Sequence, residues 1–221
     1  AGGLPYVRLK IAASLDGRTA MASGESKWIT GTAARLDVQH WRALSGAIIT
    51  GSGTVLADDP ALTVRQLPSG AALANIPAPL RVVLDRRGRV PAQARVMQDG
   101  GPTLLVGPGP GEALPPAVQQ MDWPGAGLAG VLQQLRDQHQ VRDVLVECGS
   151  ELAGAFVQAG LVDELIVYLA PCLLGPEGRA MLALSVPQLS ERVQLAWLEV
   201  QPVGADLRLR LRPMQDQGSN G

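Results

Sequence analysis

The chain contains few cysteines, histidines, lysines and aromatic residues. Its 221 residues include 2 Cys and 2 His, and its aromatic side chains are 4 Trp, 2 Tyr and 1 Phe. Cys148 and Cys172 lie 24 positions apart, and neither His40 nor His139 stands at the spacing of a metal ligand from them. These absences exclude a disulfide framework and a structural zinc site, so we predict no bound metal.

Long apolar runs and an excess of charge are also absent. The apolar runs have the length of strands, and the first ten residues, AGGLPYVRLK, contain no apolar signal region. We therefore expect a soluble, cytoplasmic protein that does not enter a membrane. The 19 basic and 20 acidic residues give a net charge of −1, which argues against a nucleic acid as a partner.

Helix and strand patterns alternate along the whole chain. The hydrophobic period changes repeatedly between two and about 3.6 residues, which is typical of a single α/β domain. Strands are predicted at residues 7–13, 47–50, 80–84, 103–106, 143–146 and 165–169, and an antiparallel hairpin at 193–201 and 207–212. Helices are predicted at residues 32–44, 128–139 and 150–159. In the first helix, the expected buried stripe is Ala33, Leu36, Val38, Trp41 and Leu44.

Residues 144–155, VLVECGSELAGA, read as a buried strand, a glycine turn and a helix. Such a turn aims backbone N–H groups and the positive end of the helix dipole beyond the strand, where phosphates bind well. The segment lacks the Lys-Ser/Thr pair of a P-loop and the G-x-G-x-x-G pattern, so an ordinary strand–helix turn explains it equally well. Glu147 favours a site, because open α/β sheets bind ligands at the carboxyl ends of their strands.

A second glycine turn follows the strand at 47–50 and opens the segment GSGTVLADDPALTVR. Glycine lets a ligand approach the backbone closely, and Thr54 and Asp58 share one helical turn. Asp58 and Asp59 are adjacent and point to different sides, and Asp59 precedes a proline that opens a turn. The pair is therefore a poor candidate for a metal site.

Two basic residues stand at places where a cation needs an explanation. Lys10 lies within an apolar strand, where its charge needs an anion or a pocket. A salt bridge within a hairpin explains it equally well. Arg86 follows the strand at 80–84 and is either a phosphate ligand or part of a solvated turn.

Four motifs together resemble the reductase half of the bifunctional deaminase/reductase of riboflavin biosynthesis. They are ASLDGR at 13–18 with Leu-Lys at 9–10 before it, SGESKWIT at 23–30, VLADDPALTVR at 55–65 and LVDEL at 161–165. They occur in the family's order, and the resemblance extends over residues 5–212. The H-x-E and P-C-x-x-C zinc signatures of the deaminase half are missing from this chain. We therefore expect a reductase domain at 1–212, a flexible tail at 213–221 and no deaminase domain.

The resemblance implies a dihydrofolate-reductase-like fold with three α/β/α layers, a mostly parallel mixed sheet and a C-terminal antiparallel hairpin. It also implies a homodimer and an NADPH-dependent reaction on a phosphorylated pyrimidine, 5-amino-6-(5-phosphoribosylamino)uracil. Hydride passes to C1′ of the ribose and opens the sugar into a ribityl chain. The cofactor supplies the hydride, and the protein supplies position and electrostatics.

The resemblance also assigns residues to the site. It implies that the substrate phosphate is bound by Ser26, Arg42, Arg65 and, through its backbone, Leu62. Glu147 matches a carboxylate that contacts substrate and either holds the ribose hydroxyls or shuttles the proton that accompanies hydride addition. Lys10 is a candidate cation that polarises the sugar oxygen or imine, and we expect both residues to be catalytic. The residues implied to contact the cofactor are Ala12, Trp28, Thr30, Thr54, Asp58, Arg86, Gly149, Ser150, Glu151, Leu152, Ala153, Gly154 and Ala155. Arg86 falls near the ribose phosphate of the adenosine, which favours NADPH over NADH.

Two other functions stay open at this point. A reductase of the same fold that acts on a pterin or folate needs a carboxylate in an apolar pocket, but it has no use for a cluster of Ser26, Arg42 and Arg65. A non-catalytic nucleotide-binding domain predicts cofactor binding without turnover. Fold alone does not separate these possibilities.

Overall fold

The computed structural model describes residues 3–73, 76–99 and 101–214. In chain order its regular elements are β1 (Tyr6–Ser14), β2 (Arg18–Ala20), α1 (Thr32–Leu44), β3 (Ala47–Gly51), α2 (Ser52–Asp58), β4 (Leu80–Leu84), α3 (Arg95–Gln98), β5 (Thr103–Val106), β6 (Val118–Met121), α4 (Gly127–His139), β7 (Asp143–Glu147), α5 (Ser150–Gln158), β8 (Glu164–Ala170), β9 (Arg179–Ala180), β10 (Leu195–Val203) and β11 (Asp206–Pro213). A short 3-10 turn spans Leu189–Glu191. None of the helices within these ranges is long and apolar enough to cross a membrane.

A nine-stranded sheet in the order β10-β11-β8-β1-β7-β3-β4-β5-β6 forms the centre of the fold. From β8 to β6 all neighbouring strands are parallel, so their carboxyl ends lie at one edge. β11 is antiparallel to β8, and β10 is antiparallel to β11. The small strands β2 and β9 pair separately. A ligand site is expected beyond the shared carboxyl edge.

Alternating side chains of the central strands build a core on each face of the sheet. On one face Val146 packs in a cluster with Leu132 of α4 and Phe156 of α5. On the other face Leu145 packs in a cluster with Trp41 of α1, and a further cluster includes residues of α2 and α3. Because helices cover both faces, the molecule has the three α/β/α layers and mixed sheet that we expected.

The predicted elements match the structure closely, with a few differences. α1 has the predicted bounds, but its buried residues are Ala34, Val38, Gln39 and Trp41, while Ala33 and Leu44 are exposed. The strands β2, β6 and β9 and the one-turn helix α3 were not predicted; β6 has no fully buried residue, and the others are at most four residues long. Of α2, only the helical turn that carries Thr54 and Asp58 was expected. β11 ends at Pro213, one residue beyond the expected domain boundary, and residues 215–221 of the expected tail lie outside the described residues.

Candidate active site

The parallel register of β1 and β7 brings two charged residues of distant sequence position together. Lys10 of β1 is the partner of Glu147, the last residue of β7. Val146 points into the core beneath α4 and α5, so the alternation of a strand directs Glu147 to the opposite face, towards α1. Arg42 lies in the last turn of α1 and reaches the same carboxylate. Three separate elements therefore converge on one side chain.

Glu147 is held between two cations. The guanidinium of Arg42 donates from Nε to Oε1 at 2.6 Å and from Nη2 to Oε2 at 3.0 Å. On the other side, Nζ of Lys10 lies 3.8 Å from Oε2. All three side chains are largely buried, and that of Glu147 is 11% exposed. A buried carboxylate needs this kind of pairing, since an unpaired charge in the interior is very costly.

The surrounding charges set the protonation states of the cluster. Burial raises the pKa of Glu147, but the positive charges of Arg42 and Lys10, the hydrogen bond from Arg42 and the charge of Arg65 outweigh it and lower the pKa to about 2. For Lys10, burial lowers the pKa below 10.5, and the charge of Glu147 opposes this effect. Glu147 is thus an acceptor at neutral pH, and Lys10 is a stronger acid than an ordinary lysine.

The structure brings three of the four residues assigned to the substrate phosphate together. Arg42 also donates from Nη1 to the carbonyl oxygen of Thr63 at 3.1 Å. Leu62 is buried beside this contact and has a positive φ of 53°. The exposed side chain of Arg65 is close enough for its charge to lower the pKa of Glu147. Arg42, Leu62 and Arg65 therefore lie on the α1 side of Glu147.

Ser26, the fourth residue assigned to the phosphate, contacts α2 instead. Its Oγ lies 3.5 Å from Oδ1 of Asp58 as a long hydrogen bond, and Nζ of Lys27 lies 3.8 Å from the same oxygen. Asp59 serves a different purpose, because its Oδ1 accepts the backbone N–H of Arg95 at the start of α3 at 2.8 Å. Across the described residues, no group of three or more His, Cys, Asp or Glu could hold a metal ion.

The starts of α2 and α5 lie next to each other at the carboxyl edge of the sheet. A methyl group on Gly149 would stand 3.9 Å from Oγ1 of Thr54, and one on Gly51 would stand 3.0 Å from Cδ2 of Leu152. Within the described residues, no side chain caps the start of α5 after Gly149. The backbone N–H groups of Ser150 and Glu151 therefore lie at the positive end of the helix dipole, an arrangement that favours an anionic ligand.

Part of the segment assigned to the cofactor packs inside the protein. Ala153 and Gly154 are buried, whereas Ala155 is half-buried. A methyl group on Gly154 would lie 2.2 Å from the carbonyl oxygen of Ala183, so this glycine permits a close contact between two backbone segments. Ser150 binds the same segment, since its carbonyl oxygen accepts the N–H of Ala183 at 3.0 Å.

Other residues assigned to the cofactor lie around the rim. Trp28 is 69% exposed, and the guanidinium carbon of Arg35 lies 4.5 Å from its ring centroid. Thr30 is buried, and its carbonyl oxygen accepts from Arg35 at 2.6 Å. Ala12 is half-buried on β1. Arg86 is exposed after β4, with its guanidinium carbon 5.1 Å from the ring centroid of Trp123.

Sequence reasoning did not find three residues that hold these groups in place. Arg35 contacts both Trp28 and the segment after it. Arg89 donates from Nη2 to Oγ of Ser52 at 2.9 Å, at the start of α2. Gln39, on α1, accepts the backbone N–H of Arg65 at 2.9 Å. The contacts of Gln39 and Arg89 carry no local signal, because they join residues 26 and 37 positions apart. Arg35 is five positions from Thr30, so its contact is local in sequence, but no motif marks it.

Comparison with known proteins places the chain in a family. The profile of the family described as "RibD C-terminal domain" matches residues 5–209. The riboflavin biosynthesis protein RibD of Escherichia coli K12 is 45% identical over 95% of this chain and 60% of its own length. RibD of Acinetobacter baumannii superposes with a TM-score of 0.89 at 47% identity, over 97% of this chain and 59% of that one.

A deaminase/5-amino-6-(5-phosphoribosylamino)uracil reductase from Thermotoga maritima superposes with a TM-score of 0.82 at 27% identity, covering 96% of this chain and 57% of that one. The chain thus spans about 60% of the length of the RibD of Escherichia coli. Its fold is the dihydrofolate-reductase-like α/β/α fold implied by the resemblance. The chain belongs to the RibD C-terminal domain family.

Proposed function

We propose that this chain is an NADPH-dependent reductase that converts the ribose of 5-amino-6-(5-phosphoribosylamino)uracil to a ribityl chain in riboflavin biosynthesis. The observation that carries the proposal is the buried cluster of Lys10, Glu147 and Arg42 at the carboxyl edge of the sheet. The Thermotoga maritima relative is named as a reductase of this same compound. The cluster supplies both an acceptor for sugar hydroxyls and an acidic ammonium group.

The charge balance of the site suits a phosphorylated substrate. Lys10, Arg42 and Arg65 carry three positive charges around the single negative charge of Glu147. Contacts within the described residues use three of the five N–H groups of Arg42, so two N–H groups can reach a ligand. Together with Arg65 they form a donor set that a phosphate dianion matches well. An unsubstituted pterin, which has no anionic group, would leave these charges without a partner.

The protonation states suggest a role for each catalytic residue. The nicotinamide of the cofactor, when bound, would supply the hydride to C1′ of the ribose. As the bond between C1′ and the ring oxygen breaks, that oxygen needs one proton, and the ammonium of Lys10 donates it. Glu147 stays ionised, since its pKa is about 2, and accepts hydrogen bonds from the ribose hydroxyls. Arg42 fixes the orientation of this carboxylate.

The cofactor fits at the junction of α2 and α5. The backbone N–H groups at the start of α5 would hold the pyrophosphate, and the missing side chain of Gly149 lets it approach. Thr54 and Asp58 would line the nicotinamide half from α2, with Trp28 at the rim. The exposed guanidinium of Arg86 would bind the phosphate on the adenosine ribose, which favours NADPH over NADH.

The enzyme is further proposed to act as a homodimer in the cytoplasm. Apolar side chains of the edge strand β10, Trp197, Leu198 and Val200, are exposed and offer a surface for a second copy. Cys148 and Cys172 are free thiols, as a reducing compartment requires.

Oxidation of NADPH in the presence of the deaminated pyrimidine tests the function. We expect turnover, and we expect Arg65→Ala to raise KM at least about tenfold because it removes a charge-assisted contact to the phosphate. The control is the dephosphorylated substrate, for which wild type and variant should differ little. Tight NADPH binding without any turnover would support the non-catalytic alternative, and equal losses with both substrates would contradict the phosphate site.

A further inference from the structure

The segment 61–65, between α2 and β4, has no regular secondary structure, but burial and hydrogen bonds fix its conformation. Ala61 and Leu62 are buried. Leu62 adopts a φ of 53°, a region that residues with a side chain rarely occupy. Such a conformation persists only where the surroundings determine it. Arg65, at the end of the segment, has an exposed side chain.

Three side chains bind the backbone of this segment at alternate residues. Arg81 of β4 donates from Nη1 to the carbonyl oxygen of Ala61 at 3.2 Å. Arg42 donates to the carbonyl oxygen of Thr63 at 3.1 Å. Gln39 accepts the N–H of Arg65 at 2.9 Å. Two of these contacts come from α1, so the helix that holds Glu147 through Arg42 also sets the position of Arg65.

Gln39 is an unusual residue for a buried helix face. It is 5% exposed and lies among Ala34, Val38 and Trp41, which are small or apolar. Within the described part of the chain, the hydrogen bond formed by its side chain is the one that Oε1 accepts from the N–H of Arg65. Burying an amide costs free energy, and packing alone would be served better by an apolar side chain. The amide therefore acts through its hydrogen bond to the segment.

We propose that Gln39 is a positioning residue for the substrate-phosphate site. It fixes the backbone of Arg65, so that the guanidinium of Arg65 and the two N–H groups left on Arg42 meet the same phosphate. Gln39 and Arg42 are three residues apart and share a face of α1, so one rigid helix sets both donors. This inference rests on the proposed function of the site. Because Gln39 acts by preorganising a binding group, it affects KM and leaves kcat unchanged.

The substitution Gln39→Met tests the proposal, since methionine keeps the length of the side chain and lacks a comparable acceptor. We expect KM for the phosphorylated substrate to rise about tenfold, with kcat and the KM for the dephosphorylated substrate within about twofold of wild type. Gln39→Asn keeps the amide but is one CH₂ too short to reach Arg65, and it should raise KM in the same way. Val38→Ala, on the same buried face, is the control that lowers the melting temperature without changing KM.

A double substitution shows whether Gln39 acts through Arg65. In an Arg65→Ala background, Gln39→Met should have no further effect on KM. Additive effects, an equal rise in KM for both substrates or an unchanged KM would overturn the proposal. Binding of ribose 5-phosphate, measured by calorimetry, separates this inference from the proposed reaction. If wild type binds the probe and Arg65→Ala does not, full binding by Gln39→Met contradicts the positioning role, whether or not the pyrimidine is reduced.

Discussion

Lys10 and Glu147 occupy paired positions on the neighbouring parallel strands β1 and β7, with Nζ and Oε2 3.8 Å apart. The pairing gives a buried ammonium group an anionic partner that is itself fixed from the other side by Arg42. The carboxylate opposes the effect of burial on Lys10 without cancelling it. The two residues therefore form a donor and an acceptor whose protonation states depend on each other.

The titration of Lys10 can be followed directly, because the chain contains 2 lysines, Lys10 and Lys27. With lysine labelled by ¹³C at Cε, Lys27→Arg leaves a single NMR signal. We expect Lys10 to titrate below 10.5, since burial lowers its pKa. Glu147→Gln removes the charge that raises this pKa, so the midpoint should fall further. A midpoint at or above 10.5, or an upward shift in Glu147→Gln, would contradict the arrangement.

Lys10→Ala tests the role of the ammonium group in catalysis. Removal of a proton donor to the sugar oxygen should lower the rate of hydride transfer at least about tenfold, measured in a single turnover with NADPH in excess. A loss within about threefold of wild type, or under ~1 kcal/mol, means that Lys10 is not the donor. Lys10→Arg is the matched control: it keeps the charge next to Glu147 but gives up protons far less readily.

The low pKa of Glu147 predicts how stability changes in acid. Its pKa is depressed from 4.5 to about 2 in the folded protein, so its ionic contribution is fully present above about 4.5 and is lost as pH falls towards 2. The depression corresponds to about 3 kcal/mol. In urea unfolding, the difference in free energy of unfolding between wild type and Glu147→Gln should be constant near neutral pH. It should shrink between pH 4.5 and 2, and a difference that stays constant there counts against the ion cluster.

The sequence predicted the sheet and the helices well, because apolar periodicity records which face of each element is buried. The buried face of α1 was predicted less accurately. Ala33 and Leu44, which belong to the predicted buried stripe, are exposed in the structure. The observed stripe includes Gln39, and a polar residue in a helix is ordinarily read as exposed. Its contact with Arg65 joins residues 26 positions apart, so no local pattern could reveal it.

The candidate site was likewise predictable from the sequence only in part. The motifs located the residues near Glu147 and the turn at Gly149, since these lie at strand ends. They did not distinguish Ser150, at the open start of α5, from Gly154, which faces Ala183 inside the protein. That distinction depends on residues 181–183, which pack against α5. These residues show no helix or strand periodicity, so their contact with α5 could not be predicted from the sequence.

Two glycines of the same segment should therefore respond differently to substitution by alanine. Gly154→Ala brings a methyl group within 2.2 Å of the carbonyl oxygen of Ala183, so it should destabilise the fold by about 1–3 kcal/mol. Gly149→Ala meets Oγ1 of Thr54 at 3.9 Å with a φ of −75°, so it should lose much less stability than Gly154→Ala, about the small cost of alanine at a helix N-cap. If the pyrophosphate lies where we propose, this methyl group would obstruct its approach, and the Kd for NADPH should rise about tenfold.

Thermal unfolding and NADPH titration of both glycine variants provide the comparison. The residues after Gly149 differ in accessibility, and the two measurements separate a role in packing from a role in cofactor binding. A large loss of stability in Gly149→Ala, or unchanged stability in Gly154→Ala, would contradict the structure. Unchanged affinity for NADPH in Gly149→Ala would contradict the proposed position of the pyrophosphate.

The exposed apolar side chains of the edge strand β10 lead us to expect a homodimer. Trp197 is 64% exposed, and within the described residues β10 pairs with β11 alone. An apolar edge of this kind is rarely left open to solvent, so we expect a second copy of the chain to cover it. Trp197→Lys should convert a dimer to a monomer at micromolar concentration, measured by light scattering after size exclusion. Leu44→Ser, at a residue of α1 that is 54% exposed, is the matched control and should leave the dimer intact. A monomeric wild type, or a Trp197→Lys variant that stays dimeric, would contradict this assembly.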